Sequence, residues 1–148
     1  MKIRLLLIAA MLVFASCLAD CTGPAKQHHS EEVIARSATG FANLYYNQQY
    51  AEAIGMATPE SRPWIVFAAS ALTEDDLSVI NAETKASLAE AGAVELTSDT
   101  TATVRLTVSQ VFVIDSIGQP GHFVDKQEVM LQLVKRGDDW LVSLAHRL

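Results

Sequence analysis

The chain has 148 residues, a net charge of −6 and 50% hydrophobic residues. This length predicts one domain, and an acidic chain without a basic cluster is a poor candidate for nucleic acid, whose phosphates need Lys and Arg. Both cysteines, Cys17 and Cys21, stand near the N-terminus. The folded part is therefore expected to contain no disulfide framework, no cysteine-ligated zinc and no cysteine nucleophile, and no cofactor is predicted.

The N-terminus has the pattern of an export signal. A basic start at residues 1–4 is followed by an apolar run over residues 5–15 and then by small residues, the order found in signal peptides. The run is too short for a comfortable membrane span, which needs about 20 residues. We therefore predict a cleaved signal over residues 1–16. A plain secretory cut near Ala19 and a retained membrane anchor are the alternatives.

A cysteine directly after the small residues resembles the lipobox of bacterial lipoproteins. Residues 14–17 match that pattern at their last three positions and depart from it at Phe14, where the family has an aliphatic residue. The resemblance implies a diacylglycerol on Cys17 and a domain held on the periplasmic or external side of the bacterial envelope, at the outer membrane. Lipidation at Cys21 stays an alternative, but Asp20 would then have to be desolvated in a peptidase subsite shaped for a small residue.

Residues 17–29 are predicted to form the lipidated N-terminus and a flexible linker. From Asp20 onward the segment has turn residues, polar residues and no apolar periodicity. His28 and His29 are adjacent and lack a third ligand nearby, so a solvated linker is favoured over a metal site.

Helical patterns occupy the next part of the chain. Ser30 is a candidate N-cap for a helix whose apolar residues recur at helical spacing as far as Gln48. Residues 49–57 predict a short second helix, and Thr58-Pro59 predicts a turn. The spacing of the apolar residues indicates that one face of each helix packs on a core.

Two more helices are predicted before the pattern changes. Pro63 suits a first helical turn, and the uninterrupted apolar run over residues 64–69 predicts a third helix buried on most sides. Residues 73–76 resemble a capping box with Asp76 in place of the usual Glu or Gln, which predicts the start of a further helix. Gly92 is expected to end the helical half.

The second half alternates with the period of β-strands. A short strand is predicted over residues 93–97, and Val104, Leu106 and Val108 share one face of the next strand. The alternation breaks at residues 110–114, which predicts a bulge or a bend. One face of the next long strand is predicted to carry Val129, Leu131 and Leu133. One face of the last strand is predicted to carry Trp140, Val142, Leu144 and His146. Turns are predicted at residues 119–121 and 136–139.

Helices followed by an antiparallel meander predict the α+β class, with N-terminal helices packed on a curved antiparallel sheet. The aromatic end of the first helix (residues 41–46), the Thr58-Pro59 turn and the closing Trp140-Leu141-Val142 strand resemble the cystatin-like cone of the nuclear-transport-factor-2-like superfamily. The resemblance covers residues 30–148. It implies a pocket between the helices and the concave sheet face, which some members use for catalysis and many for binding alone.

The residues suggest no catalytic set. Tyr45, Trp64, Phe67 and His146 are candidates for lining the pocket, although aromatic residues at helical spacing are more often core. His146 shares the Trp140 face and is the candidate acid or base if the protein is an isomerase, dehydratase or cyclase acting on a hydrophobic substrate. The favoured interpretation is a membrane-anchored domain that binds a small apolar ligand or a protein partner.

The outer face of the sheet is predicted to be half apolar. Met130 and Val134 on one strand and Leu141 and Ala145 on the next lie opposite the core face. In the resembling superfamily this face often pairs two chains, so a homodimer is an expected partner state.

Overall fold

The structure, a computed structural model, describes residues 24–116 and 118–148. Its helices are α1 Pro24–Tyr46, α2 Tyr50–Gly55, α3 Arg62–Ser70 and α4 Glu74–Ala82, with a 3-10 turn at Pro59–Ser61. Its strands are β1 Leu88–Ser98, β2 Thr101–Val113, β3 His122–Arg136 and β4 Asp139–Ser143. The predicted α+β class is confirmed, with the helices on a curved antiparallel sheet that forms a cone.

The sheet is an antiparallel meander in the order β1-β2-β3-β4 among the described residues. Val104 pairs with Leu131 and Leu133 pairs with Val142, so the predicted strand faces meet across the sheet. The inward side chains of β2, β3 and β4 are buried against α1, which supplies Ile34, Ala38 and Phe41 at 0% exposure. The core therefore sits between this helix and the concave face of the sheet.

The break predicted in the second strand is confirmed at Gln110, whose φ of 54° lies in the left-handed region. Buried residues recur at every second position of β2 up to Val108, but the next buried residue is Val111, three positions later. The inward face thus shifts by one residue at this point.

Helix α1 begins at Pro24, six residues before the predicted cap at Ser30, so residues 24–29 are helical and not linker. The prediction was wrong because apolar periodicity reports burial and not helicity. A proline fits the first turn of a helix, and a helix nucleated by its packed part extends at little further cost. Residues 17–23 of the predicted linker, with Cys17 and Cys21, lie outside the described residues.

Helix α3 is buried on one side only, which corrects the expectation of burial on most sides. Ile65 and Ala68 are buried, whereas Trp64 is 38%, Val66 49% and Phe67 52% exposed. In a continuous apolar run every position is apolar and no polar residue marks the solvent side. The sequence therefore does not reveal which side of such a helix faces the core.

The helical half ends earlier than predicted. Helix α4 begins at the expected capping box and ends at Ala82, and β1 already begins at Leu88. Gly92 therefore lies inside β1, where the pairing with β2 shifts register between Ala91 and Val94. Glycine within a strand is typical of such a bulge.

The outer edge of β4 is covered by the segment between α2 and α3. Thr58 N–H donates to the Val142 carbonyl at 2.8 Å, and Val142 N–H donates to the Met56 carbonyl at 3.0 Å. Farther along, the Leu144 N–H donates to Ser61 Oγ at 2.8 Å. The N–H and carbonyl groups of Val142 that face away from β3 are thereby paired within the chain.

Candidate functional site

The tyrosine cleft is an open cavity of about 160 Å³ at the end of α1. We define it by Tyr45, Tyr46 and Tyr50 on the helical side, residues 111–114 of the β2 end on the sheet side, and Arg147 with Leu148 at the chain end. The chain contains three tyrosines, and all of them line this cleft. Small-molecule sites usually combine an apolar, aromatic wall with a few polar groups, so this cleft is the leading candidate for a binding site.

Two asparagines fix the end of α1 that carries the tyrosines. Asn43 Oδ1 accepts a hydrogen bond from the Ala89 N–H at 2.8 Å. Asn47 pairs with Ser87 twice, donating to its carbonyl and accepting from its N–H, each at 2.9 Å. These contacts tie the last turns of the helix to the start of β1, and they hold the tyrosine backbone in place.

The aromatic rings form a connected group around Tyr45. Its ring stacks on Phe41 at 5.7 Å between centroids. It meets Tyr46 and Tyr50 edge to face at 5.3 and 5.4 Å. Such offset and edge-on arrangements are the favoured ones for aromatic pairs, so the wall of the cleft is preorganised.

Burial keeps the phenols of the cleft protonated at neutral pH. Desolvation raises the pKa of Tyr50 to about 12 and raises the pKa of Tyr46 further. It also raises the pKa of Tyr45, although a hydrogen bond with the backbone of Leu148 and the charge of Arg147 act in the opposite direction. The three hydroxyls are therefore hydrogen-bond donors and not bases at physiological pH.

One of these hydroxyls is unpaired. Tyr46 is 7% exposed, and its Oη is buried with no hydrogen-bond partner among the described residues. Buried polar groups are nearly always paired, and an unpaired one costs about 1–3 kcal/mol. The protein thus retains an unused hydrogen-bond donor at Tyr46.

A second opening, the side cleft, adjoins the first. It has a volume of about 560 Å³ and is defined by Phe67, Asp76, Ile114, Asp115 and Arg147. Ile114 and Arg147 line both openings, so they mark the place where the two meet.

Asp76 is a structural residue in the wall of the side cleft. Its carboxylate accepts hydrogen bonds from the Thr73 N–H at 2.9 Å and from the Gly121 N–H at 2.8 Å. These bonds, with the Gly121 bond the largest cause, lower the pKa of the carboxyl. An ionised group with its acceptor sites filled anchors the loop before β3 to α4, and it is poorly suited to accept a substrate proton.

The structure distributes the predicted pocket residues unevenly. Tyr45 lines the tyrosine cleft and Phe67 lines the side cleft, whereas Trp64 and His146 belong to neither. His146 is exposed, and its Nδ1 lies 2.7 Å from the Arg147 carbonyl oxygen. The strand β4 ends at Ser143, so the alternation that pointed position 146 inward does not continue that far.

The chain end supplies cleft residues that the sequence did not suggest. Arg147 and Leu148 reach the tyrosine cleft because the backbone bends after Leu144. No local pattern marks that bend. Tyr46 follows Tyr45 directly on α1, and the aromatic pair at the helix end was a signal that both face the cleft.

Metal binding has no evident site in this part of the chain. Residues 30–116 and 118–148 contain no group of three or more His, Cys, Asp or Glu side chains arranged to hold a metal ion. His122 Nδ1 and Asp115 Oδ2 lie 3.4 Å apart, but both side chains are largely exposed. None of the described helices has the length and apolar character needed to cross a membrane.

The solved structures that match the chain include an NTF2-like protein involved in plasmid conjugation, with a TM-score of 0.39 and 15% sequence identity. The match covers 79% of this chain and 46% of that one, so the chain spans about half the length of the solved structure it matches. No protein-family model and no curated protein matches the chain. The α+β assignment rests on the order of the elements and on the sheet, not on this likeness.

Proposed function

We propose that this is a lipid-anchored cone of the NTF2-like kind that binds a small, largely apolar ligand in the tyrosine cleft. The observation that carries the proposal is an open cavity of about 160 Å³ whose helical wall holds every tyrosine of the chain. Pockets for small molecules are typically apolar and aromatic with a few convergent polar groups. The phenol hydroxyls and Arg147 supply those polar groups here.

The volume indicates the size of the ligand. An engineered cavity of about 150 Å³ in another protein takes up benzene. The tyrosine cleft therefore suits one aromatic ring or a body of similar bulk. Because the cleft is open and meets the side cleft at Ile114 and Arg147, substituents on that ring have space to extend outward.

Binding accounts for the cleft better than proton transfer does. His146, the candidate acid or base of the enzymatic alternative, is exposed and does not line the cleft. The titratable side chains among the described lining residues are the three tyrosines and Arg147, and none of them is a base near neutral pH. A general base has to reach the proton that it removes and to be unprotonated at working pH.

Cys17 is the proposed site of membrane attachment. The lipobox-like residues 14–17 support lipidation there, which would hold the cone at the bacterial envelope, in the outer membrane. The intact mass of a Cys17→Ser variant is expected to lack the lipid. A variant that keeps its lipid would move the attachment to Cys21.

A protein partner is a second candidate, favoured by the exposed side of α3. Trp64, Val66 and Phe67 are 38%, 49% and 52% exposed on this one short helix. Clustered large apolar side chains at a surface are typical of interaction sites.

Ligand binding is tested by NMR on protein with labelled tyrosine rings, titrated with p-cresol. We expect saturable shifts of the ring signals in the wild-type protein. Leu72→Trp fills the cleft and is expected to abolish them, whereas Leu77→Trp, on the exposed surface of α4, is the matched control and is expected to leave them unchanged. Unshifted rings in the wild-type protein, or equal binding by Leu72→Trp, would contradict the proposal.

A further inference from the structure

Arg147 lies at the junction of the two clefts and faces both. Its guanidinium carbon is 5.8 Å from the centroid of the Phe67 ring, a contact that holds the cation over an apolar surface. Its charge also acts on Tyr45 and Tyr50, where it opposes the effect of burial on the pKa. Arg147 thus lines the same opening as Tyr45 and Tyr50.

No side-chain carboxylate of the described residues forms an ion pair with Arg147. The acidic residues of the side cleft are engaged elsewhere. Asp76 accepts hydrogen bonds from Thr73 and Gly121, and Asp115 lies 3.4 Å from His122. The described lining of the tyrosine cleft contains no acidic side chain.

We infer that the tyrosine cleft takes ligands of the aryl carboxylate class, with the ring against the tyrosines and the carboxylate at Arg147. This inference rests on the proposed function and adds the charge of the ligand. A guanidinium presents a planar fork of N–H donors that matches a carboxylate, and the neighbouring phenols are donors as well. The acidic wall of the side cleft repels an anion, so the carboxylate stays on the tyrosine side of Arg147.

The test compares two probes of the same shape by calorimetry, 4-methylbenzoate and the neutral 4-methylbenzamide. The wild-type protein is expected to bind the carboxylate about tenfold more tightly, because hydrogen bonds to charged groups are the stronger ones. Arg147→Met is expected to remove this preference. The matched control is Arg105→Met, which removes the same charge from the exposed outer face of β2 and is expected to keep the preference.

The outcomes separate the two proposals. Equal affinities for the two probes in the wild-type protein overturn the inference and leave ligand binding standing. A preference that survives Arg147→Met also overturns it. If neither probe binds the wild-type protein, the ligand-binding proposal and the inference fall together. The wild-type comparison does not depend on the folding of any variant.

Discussion

Tyr46 shows how a single atom distinguishes a core residue from a residue of a binding wall. Its ring is packed at the edge of the core, yet its hydroxyl is buried without a partner among the described residues. A side chain selected for packing alone would be better as phenylalanine. The free energy lost to the unpaired hydroxyl makes Tyr46 the residue whose substitution is most informative.

Tyr46→Phe is expected to raise the free energy of unfolding by up to about 1 kcal/mol, because it removes an unpaired buried hydroxyl and keeps the ring. Tyr45→Phe is the control and is expected to lower it by about 0.5–1.5 kcal/mol, since that hydroxyl bonds with the Leu148 backbone. Urea unfolding measures both. A clear loss of stability in Tyr46→Phe would mean that its hydroxyl has a partner.

The ionisation of the tyrosines also reports on the cleft, because all three tyrosines of the chain line it and no other tyrosine contributes to the signal. Burial raises the pKa of Tyr50 to about 12. Tyrosinate absorbance of the folded protein is therefore expected to appear well above pH 10, whereas the chain in urea titrates near the ordinary value of 10.0. A raised folded pKa stabilises the fold fully below the unfolded pKa, and that contribution is lost as the pH rises toward 12. Titration of all three tyrosines near pH 10 in the folded protein would contradict a buried cleft wall.

At the scale of the element, α4 is fixed by one carboxylate that serves two purposes. Asp76 completes the capping box with Thr73, and it also accepts the Gly121 N–H from the loop before β3. The sequence predicted the cap because the capping motif is local. The contact with Gly121 joins residues 45 positions apart, and no local pattern reports it.

Asp76→Asn is expected to lower the free energy of unfolding by about 2 kcal/mol at neutral pH, since an amide places a donor against N–H groups that need an acceptor. The folded pKa of Asp76 is lowered, so its contribution is present above the unfolded pKa and is lost as the pH falls through the folded pKa. The deficit of the variant is therefore expected to shrink in acid. Asp75→Asn, in the same helical turn but exposed, is the control for charge. A deficit that is equal in both variants would assign the effect to the helix terminus alone.

Helices and strands differed in how far the sequence determined them. In β2, β3 and β4 apolar residues recur at every second position, so the sequence shows which residues share the apolar face. This pattern identified Val104, Leu131 and Val142 as core, and all three are buried. The apolar run of α3 has no phase, and its burial was wrongly predicted. The cleft was predicted least well, because Arg147 reaches it through a bend that follows the last strand.

At the scale of the whole molecule, the outer sheet face is the proposed contact between two copies of the chain. Met130 is 61% exposed there, and Val134 pairs with Leu141 on the neighbouring strand. The same face also carries Arg105 opposite Met130, so the apolar part of the surface has a charged border.

Sedimentation of the wild-type protein is expected to show a dimer, and Met130→Lys is expected to give a monomer because each copy would then carry a charge in the apolar part of this face. Val66→Lys introduces the same charge on the exposed side of α3 and is expected to leave the dimer intact. A monomeric wild-type protein, or a dimer that tolerates Met130→Lys, would contradict this arrangement.

The covered edge of β4 limits how the sheets of different molecules can join. Fibrous growth by strand addition needs an open edge on each side of every molecule, so that each copy accepts one neighbour and offers a site to the next. Here Met56, Thr58 and Ser61 occupy one side, and β1 is the remaining open edge of the described sheet. Two copies that joined through β1 would leave no free edge, and polymerisation by this route would stop at a pair.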